Sequence, residues 1–299
     1  MGRDSREIPL IQESLRLWKG FDAVVGADVG FRQCGILYLC ETEADVQGYE
    51  PWLEHARHHR IGSRLIAACE VQAVMPGLRR KVAGALYTPS DARAEPAMAA
   101  PAIARAVQAL GACVITQCAV RAIEKVLGSD LRTRRLDDAP ETSTAGCDFA
   151  FRKRADGGYT IAHGGLSTAE ITPDSFRLFG AFLPALRKKW RGIRLQLGRQ
   201  FLDEWGWKRR WKADEITPFE VVRVLDPQPD NRLLDTALVN LRKAHRAFEL
   251  TVEAQRWGGL IDATPDAVPV ISGVAALPVF SSPPAFPGMV SGSVPAPGG

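Results

Sequence analysis

Three histidines, His55, His58 and His59, stand at i, i+3 and i+4 in "LEHARHHR". On one helical face that spacing could gather ring nitrogens around a metal ion. No carboxylate or thiolate is placed to complete the shell, so a solvated helix end is the expectation and no metal site is assigned. A second cluster runs from Arg187 to Lys212, where ten Lys or Arg meet two acids and Trp190, Trp205, Trp207 and Trp211 are interleaved. Such a mixture superficially resembles a base-stacking, phosphate-binding surface. The favoured reading is that basic stems cover apolar helix faces with the tryptophans packed beneath them, and a basic nucleic-acid-binding protein is kept as a further alternative. The sequence holds neither a G-x-S-x-G elbow nor a Walker loop, Cys113 and Cys118 read as small core residues beside a strand, and no catalytic residue is assigned.

The elements that must position any such chemistry alternate between helix and strand. Ile8, Ile11, Leu15 and Trp18 fall at helical spacing in "SREIPLIQESLRLW". "CGILYLC" is a buried strand, and Thr42 is the expected N-cap of the polar helix that follows. "AGALYTP" reads as a strand, followed by a helix with Pro101 in its first turn and a stop at Gly111, then another strand. Phe149 and Phe151 alternate with charge, the chain turns at Asp156-Gly157-Gly158, and Tyr159 and Ile161 resume the alternation, which is a hairpin signal. Helices are expected from Ser175 to Trp211, and a further helix and strand in "TALVNLRKAHRAFELTVEAQRWGG".

Bulk properties narrow the class. A chain of 299 residues, 46% hydrophobic and 24% charged, can bury a large core. Its net charge of +4 is too mild to argue for nucleic acid or an anionic membrane. The six cysteines form no C-x-x-C pair, and there is no apolar leader or long apolar run, so a cytoplasmic protein without a membrane partner is the expectation.

"WGGLIDATPDAVPVIS" (257–272), taken with "GFRQCGILYL", "DARAEPAMAAPAIARAVQALGACVITQCAVRAIE" and "FRKRADGGYTIAHGG", resembles the FAD-dependent oxidoreductases of the glycine oxidase, sarcosine oxidase and D-amino-acid oxidase superfamily. The resemblance runs from Arg6 to Ser272. It implies an α/β (α+β) fold in which an incomplete Rossmann-type FAD domain is interleaved with a substrate domain containing an antiparallel sheet and helices. The segments it implies are 1–29 as a helical remnant of the FAD domain, 30–90 and 145–256 as the substrate domain, 91–130 and 257–273 as returns to the FAD domain, and 274–299 as a disordered, aberrant tail. It further implies FAD as cofactor and a small amine or amino acid as substrate, oxidised at a C–N bond. Val120 matches the position facing the adenine, and Thr264, Pro265 and Asp266 match the turn leading back to the flavin. Where amino-acid-oxidising members read G-L-R-P, this chain reads Gly259-Leu260-Ile261-Asp262, so a carboxylate is not expected to be anchored there.

Three departures accompany the resemblance. No two glycines are separated by a single residue anywhere in the chain, so it carries no G-x-G-x-x-G turn to cradle a pyrophosphate. Between Glu124 and Cys147 the strand and Gly-Ala-Trp-like turn of the family are replaced by "KVLGSDLRTRRLDDAPETSTAG". The tail from Val279 to Gly299 is built almost wholly from Pro, Gly, Ser, Ala and Val. Read one base back, Pro278 to Gly298 can encode the family's glycine-rich flavin loop, and Met289 before Val290 then must give glycine. These departures support an alternative in which the chain is a truncated, internally deleted and frameshifted remnant that is not catalytic and no longer binds FAD.

Overall fold

The structure is a computed structural model and describes residues 5–114, 126–137, 139–189, 192–208, 211–212, 215–222, 227–261, 273–274 and 277–281. The chain divides into two compact units. Unit 1 comprises Met1–Val114, Asp130–Gly165 and Asn231–Arg256; unit 2 comprises Ile115–Ser129, Leu166–Asp230 and Trp257–Gly299. The mixed α/β class expected from sequence is the one observed.

Unit 1 opens with helices α1 (Ile8–Lys19) and α2 (Phe21–Val25) and a short strand β1 (Arg32–Gln33). Strand β2 (Ile36–Cys40) follows, then α3 (Glu43–Gln47), α4 (Glu50–His58), β3 (Arg64–Ala67), α5 (Ala68–Val74), β4 (Gly84–Thr88), β5 (Ala92–Arg93) and α6 (Pro96–Ala109). Thr42 caps α3 in a reciprocal box with Asp45, each side chain satisfying the other's backbone N–H. Helix α6 begins early enough to put Pro101 beyond its first turn: Glu95 is its N-cap, Pro96 fills the first helical position, and Pro101 lies inside the helix. Pro96 is pre-set for that first position, and it takes the role assigned by sequence to Pro101. The helix stops at Leu110, and Gly111 takes φ +88°. Cys113, expected in the core, is exposed in the loop beyond this stop, and Cys118 lies outside the described residues.

The chain re-enters unit 1 at Asp130, within strand β6 (Val126–Thr133), and continues through β7 (Ser143–Gly146), β8 (Phe149–Lys153) and β9 (Tyr159–Ala162). The expected hairpin is present: Phe151 pairs with Ile161 and Lys153 with Tyr159 across the Asp156–Gly158 turn. Strands run in the order β6-β9-β8-β7-β2-β4-β3, antiparallel throughout except for β2 and β7, which pair in parallel. One face of this sheet is the core. Leu37, Leu39, Ala85, Leu131, Phe149, Phe151, Tyr159 and Ile161 pack there with Leu234, Leu238 and Leu241 of α10 (Asn231–Ala244) and with Phe248 beyond it. Phe248 stands 5.0 Å from both Phe151 and Tyr159, ring centre to ring centre, a tilted and edge-on arrangement that suits aromatic quadrupoles. A smaller cluster joins Val29, Ala99 and Ala102 with Trp18, Phe21 and Phe31.

Unit 2 contains a parallel pair, β10 (Ser167–Glu170) and β11 (Ile193–Gln196), connected by α7 (Pro173–Lys189). Helices α8 (Arg199–Trp205) and α9 (Pro218–Val221) follow, the latter opened by Glu220, whose carboxylate accepts from the Thr217 backbone N–H at 2.7 Å. Strand β12 (Glu253–Ile261) begins in unit 1. Phe176, Phe201 and Trp205 form an aromatic ladder with centroid distances of 6.2 and 5.4 Å. The expectation of tryptophans beneath basic stems fails for Trp205 and Trp207, which are 69% and 40% exposed: α8 is only two turns long, and Trp205 at its end reaches Phe201 of its own helix rather than an underlying layer. At the boundary between the expected FAD-domain return and the expected tail, β13 (Gly273–Val274) pairs with β14 (Leu277–Ser281), while residues 282–299 lie outside those described. Among the described residues no helix is long and apolar enough to cross a membrane.

Candidate active site

Strand pleating puts alternate residues on opposite faces, and in unit 1 the two faces differ in chemistry. Behind the apolar face, cross-strand register aligns Asp130 with Ala162 and Ala150, and Arg132 with Thr160 and Arg152. Small side chains thus leave room beside a group of charges. Glu95, the N-cap of α6, joins them: its Oε2 lies 4.0 Å from Arg152 Nη1 and has no hydrogen-bond partner. Arg152 Nη1 also donates to the Ala94 carbonyl at 3.5 Å. Gly30 permits this approach, because at its φ of +68° a Cβ would lie 2.5 Å from Glu95 Cβ.

Burial sets the electrostatics of the group. It pushes the Asp130 carboxyl up to about 6, against the opposing pull of Arg152 and Arg132. Burial also lowers Arg132, with the neighbouring Arg154 adding to the effect and Glu95 resisting it. A carboxyl poised near neutrality beside guanidinium groups can hold or release a proton and orient an anionic or amino-bearing ligand.

A cleft of about 460 Å3 opens at the end of the β8–β9 hairpin. The β1–β5 ribbon contributes Arg32 and Arg93 to its wall, and the hairpin contributes Lys153, Arg154 and Gly157. Arg135 and Glu141 complete its charged lining with Asp28 and Asp137. Gly157 takes φ +80°, and a Cβ there would stand 2.9 Å from Arg135 Cγ, so the turn lets the arginine stem cross it closely.

Sequence reasoning did not single out Asp130, Arg132, Arg152, Glu95 or Arg93. The available signal was the alternation of charged and apolar residues through 130–133 and 149–153, which becomes a site only once the strands are in register. Val120, Thr264, Pro265 and Asp266 lie outside the described residues. Ile261 closes β12, and Asp262 lies outside. His55 and His58 end α4 on its exposed side, while His59 meets His58 edge-on at 4.9 Å.

FAD, implied by the resemblance, needs backbone N–H groups for its pyrophosphate, commonly at a helix N-terminus. The starts of α1, α4 and α6 instead carry Glu7 with Pro9, Glu50 with Pro51, and Glu95 with Pro96. Glutamate repels a phosphate and proline removes a donor. These three helix starts therefore do not offer the pyrophosphate of FAD a site.

Residues 2–290 match the family described as DAO, FAD dependent oxidoreductase. A stretch of 112 residues is 29% identical to mitochondrial sarcosine dehydrogenase of Mus musculus; it covers 37% of this chain and 12% of that protein's length. In overall fold the chain is similar to L-amino acid deaminase from Proteus myxofaciens, solved in complex with anthranilate, with a TM-score of 0.86 and 23% identity over 95% of this chain and 75% of that one. Glycine oxidase from Geobacillus kaustophilus is similar at a TM-score of 0.62 and 14% identity, covering 92% of this chain and 72% of that one. With the family matched over nearly its whole length, this chain belongs to the DAO family of FAD-dependent oxidoreductases.

Proposed function

We propose that the protein oxidises the C–N bond of a small amine or amino acid with FAD as cofactor, and that unit 1 supplies the side facing the substrate. The family match over residues 2–290 carries this reading. It is supported by the kind of substrate named in the similar proteins, sarcosine, glycine and L-amino acids. On this reading Arg132 and Arg152 attract the negative end of the substrate and Asp130, poised near pH 6, exchanges a proton with it.

The test is to express the chain, release and quantify its flavin with and without added FAD, and follow dye reduction with sarcosine, glycine, L-proline and a panel of L-amino acids. Bound flavin and dye reduction by at least one of these compounds is the expected result. A well-folded protein that retains no flavin and reduces no dye refutes the proposal and leaves the non-catalytic remnant standing.

A further inference from the structure

We propose that the cleft at the β8–β9 turn is a small-anion site in which the guanidinium of Arg93 binds a carboxylate or phosphate group. The inference goes beyond the proposed reaction and stands on the geometry of unit 1 alone. Three acids on the cleft wall already have a close cation: Asp28 pairs with Arg32 at 2.9 Å, Asp137 with Arg135 at 2.6 Å and Glu141 with Lys153 at 2.5 Å. Arg154 is paired with Asp156. Among the described residues Arg93 has no comparably close partner.

Its side chain is nine-tenths buried, its Nε is buried without a hydrogen-bond partner, and its ion contact is with Glu141 at 3.9 Å, beyond hydrogen-bond range. A buried guanidinium left in this state is costly, and its planar fork suits two oxygens of one anion. Register sharpens the point, because Arg93 stands directly across the β1–β5 ribbon from Arg32. Like charges in that position repel. A bound anion would relieve both the repulsion and the unmet donor.

Glu141 behaves as a displaceable stand-in for such a ligand. Its side chain is 64% exposed and reaches Lys153 closely but Arg93 only at long range. An incoming carboxylate or phosphate would meet Arg93 at hydrogen-bond distance and compete with Glu141 for the same positive potential. Removing the Glu141 charge should therefore tighten anion binding, whereas removing the Arg93 fork should weaken it.

The experiment titrates the full chain at low ionic strength, by calorimetry, with acetate in one arm and inorganic phosphate in the other. One saturable site is expected. Arg93→Gln should weaken it at least tenfold, Glu141→Gln should tighten it severalfold, and Arg57→Gln on exposed α4 should leave it unchanged. Preference for acetate assigns the site to a carboxylate ligand; preference for phosphate assigns it to a phosphorylated one. Should Arg93→Gln fail to fold, Arg93→Lys, which keeps the charge but loses the fork, and Glu141→Gln decide the matter. Absence of saturable binding in both arms, equal affinity in the Arg93 variant, or unchanged or weaker binding in Glu141→Gln overturns the proposal. Neither flavin nor turnover is read, so failure here is separate from failure of the proposed reaction.

Discussion

Asp130→Asn should remove a defined pH dependence from the stability of the protein. In the folded chain burial raises this carboxyl from its ordinary 3.8 to about 6, despite Arg152 and Arg132. Below about pH 4 the group is neutral in both folded and unfolded chains. Between there and about pH 6 the unfolded chain ionises first, so stability falls as pH rises; above that the loss is complete. With each tenfold change in acidity representing about 1.4 kcal/mol, the raised carboxyl corresponds to a loss of about 3 kcal/mol across the window. The assay is urea unfolding of wild type and variant from pH 3.5 to 8, taking the difference at each pH so that other titrating groups cancel. The wild type should lose stability relative to Asp130→Asn as pH rises, then run parallel to it above about pH 7. Curves parallel throughout, or a wild type that gains relative stability with pH, would refute the assignment of a buried, raised carboxyl.

Two further substitutions probe what holds the sheet in register. Gly84→Ala places a Cβ 2.6 Å from the Ile66 carbonyl oxygen across the β3–β4 pair, so thermal unfolding should show a loss of about 1–3 kcal/mol, with no loss if the strands are farther apart than described. Phe248→Ala empties the space between Phe151 and Tyr159 and should cost about 3–5 kcal/mol by denaturant unfolding, a loss below 1 kcal/mol being incompatible with its burial.

Local signals were legible and assembled ones were not. The Thr42 cap, the β2 run of Ile36–Cys40 and the Asp156–Gly158 turn are each written in a few adjacent residues, and each appears where the sequence puts it. Asp130 and Arg132 gave no such signal, since "GSDLRT" carries weak strand propensity and draws its meaning from β9, some thirty residues later. Glu95 joins the group through a close backbone approach at Gly30, which no periodicity announces. Arg93 sits on a two-residue strand, too short for alternation to register. The family resemblance identified the lineage, while its motif positions, Val120 and Thr264 to Asp266, lie outside the described residues.

The parallel seam between β2 and β7 has a consequence for how the polypeptide emerges from the ribosome. It joins Ile36 to Ser143 and Tyr38 to Ala145, partners more than a hundred residues apart. Until the second of each pair is synthesised, β2 has an open backbone edge, and Leu37 and Leu39 lack the covering supplied by α10, still farther along the chain. Closure of so long a loop is slow, and an apolar strand waiting for it is prone to pair with a neighbour instead. Nascent chains halted before Gly146 should therefore engage holdase chaperones through the Ile36–Cys40 segment, and slower translation upstream of Ser143 would prolong that exposure rather than assist folding.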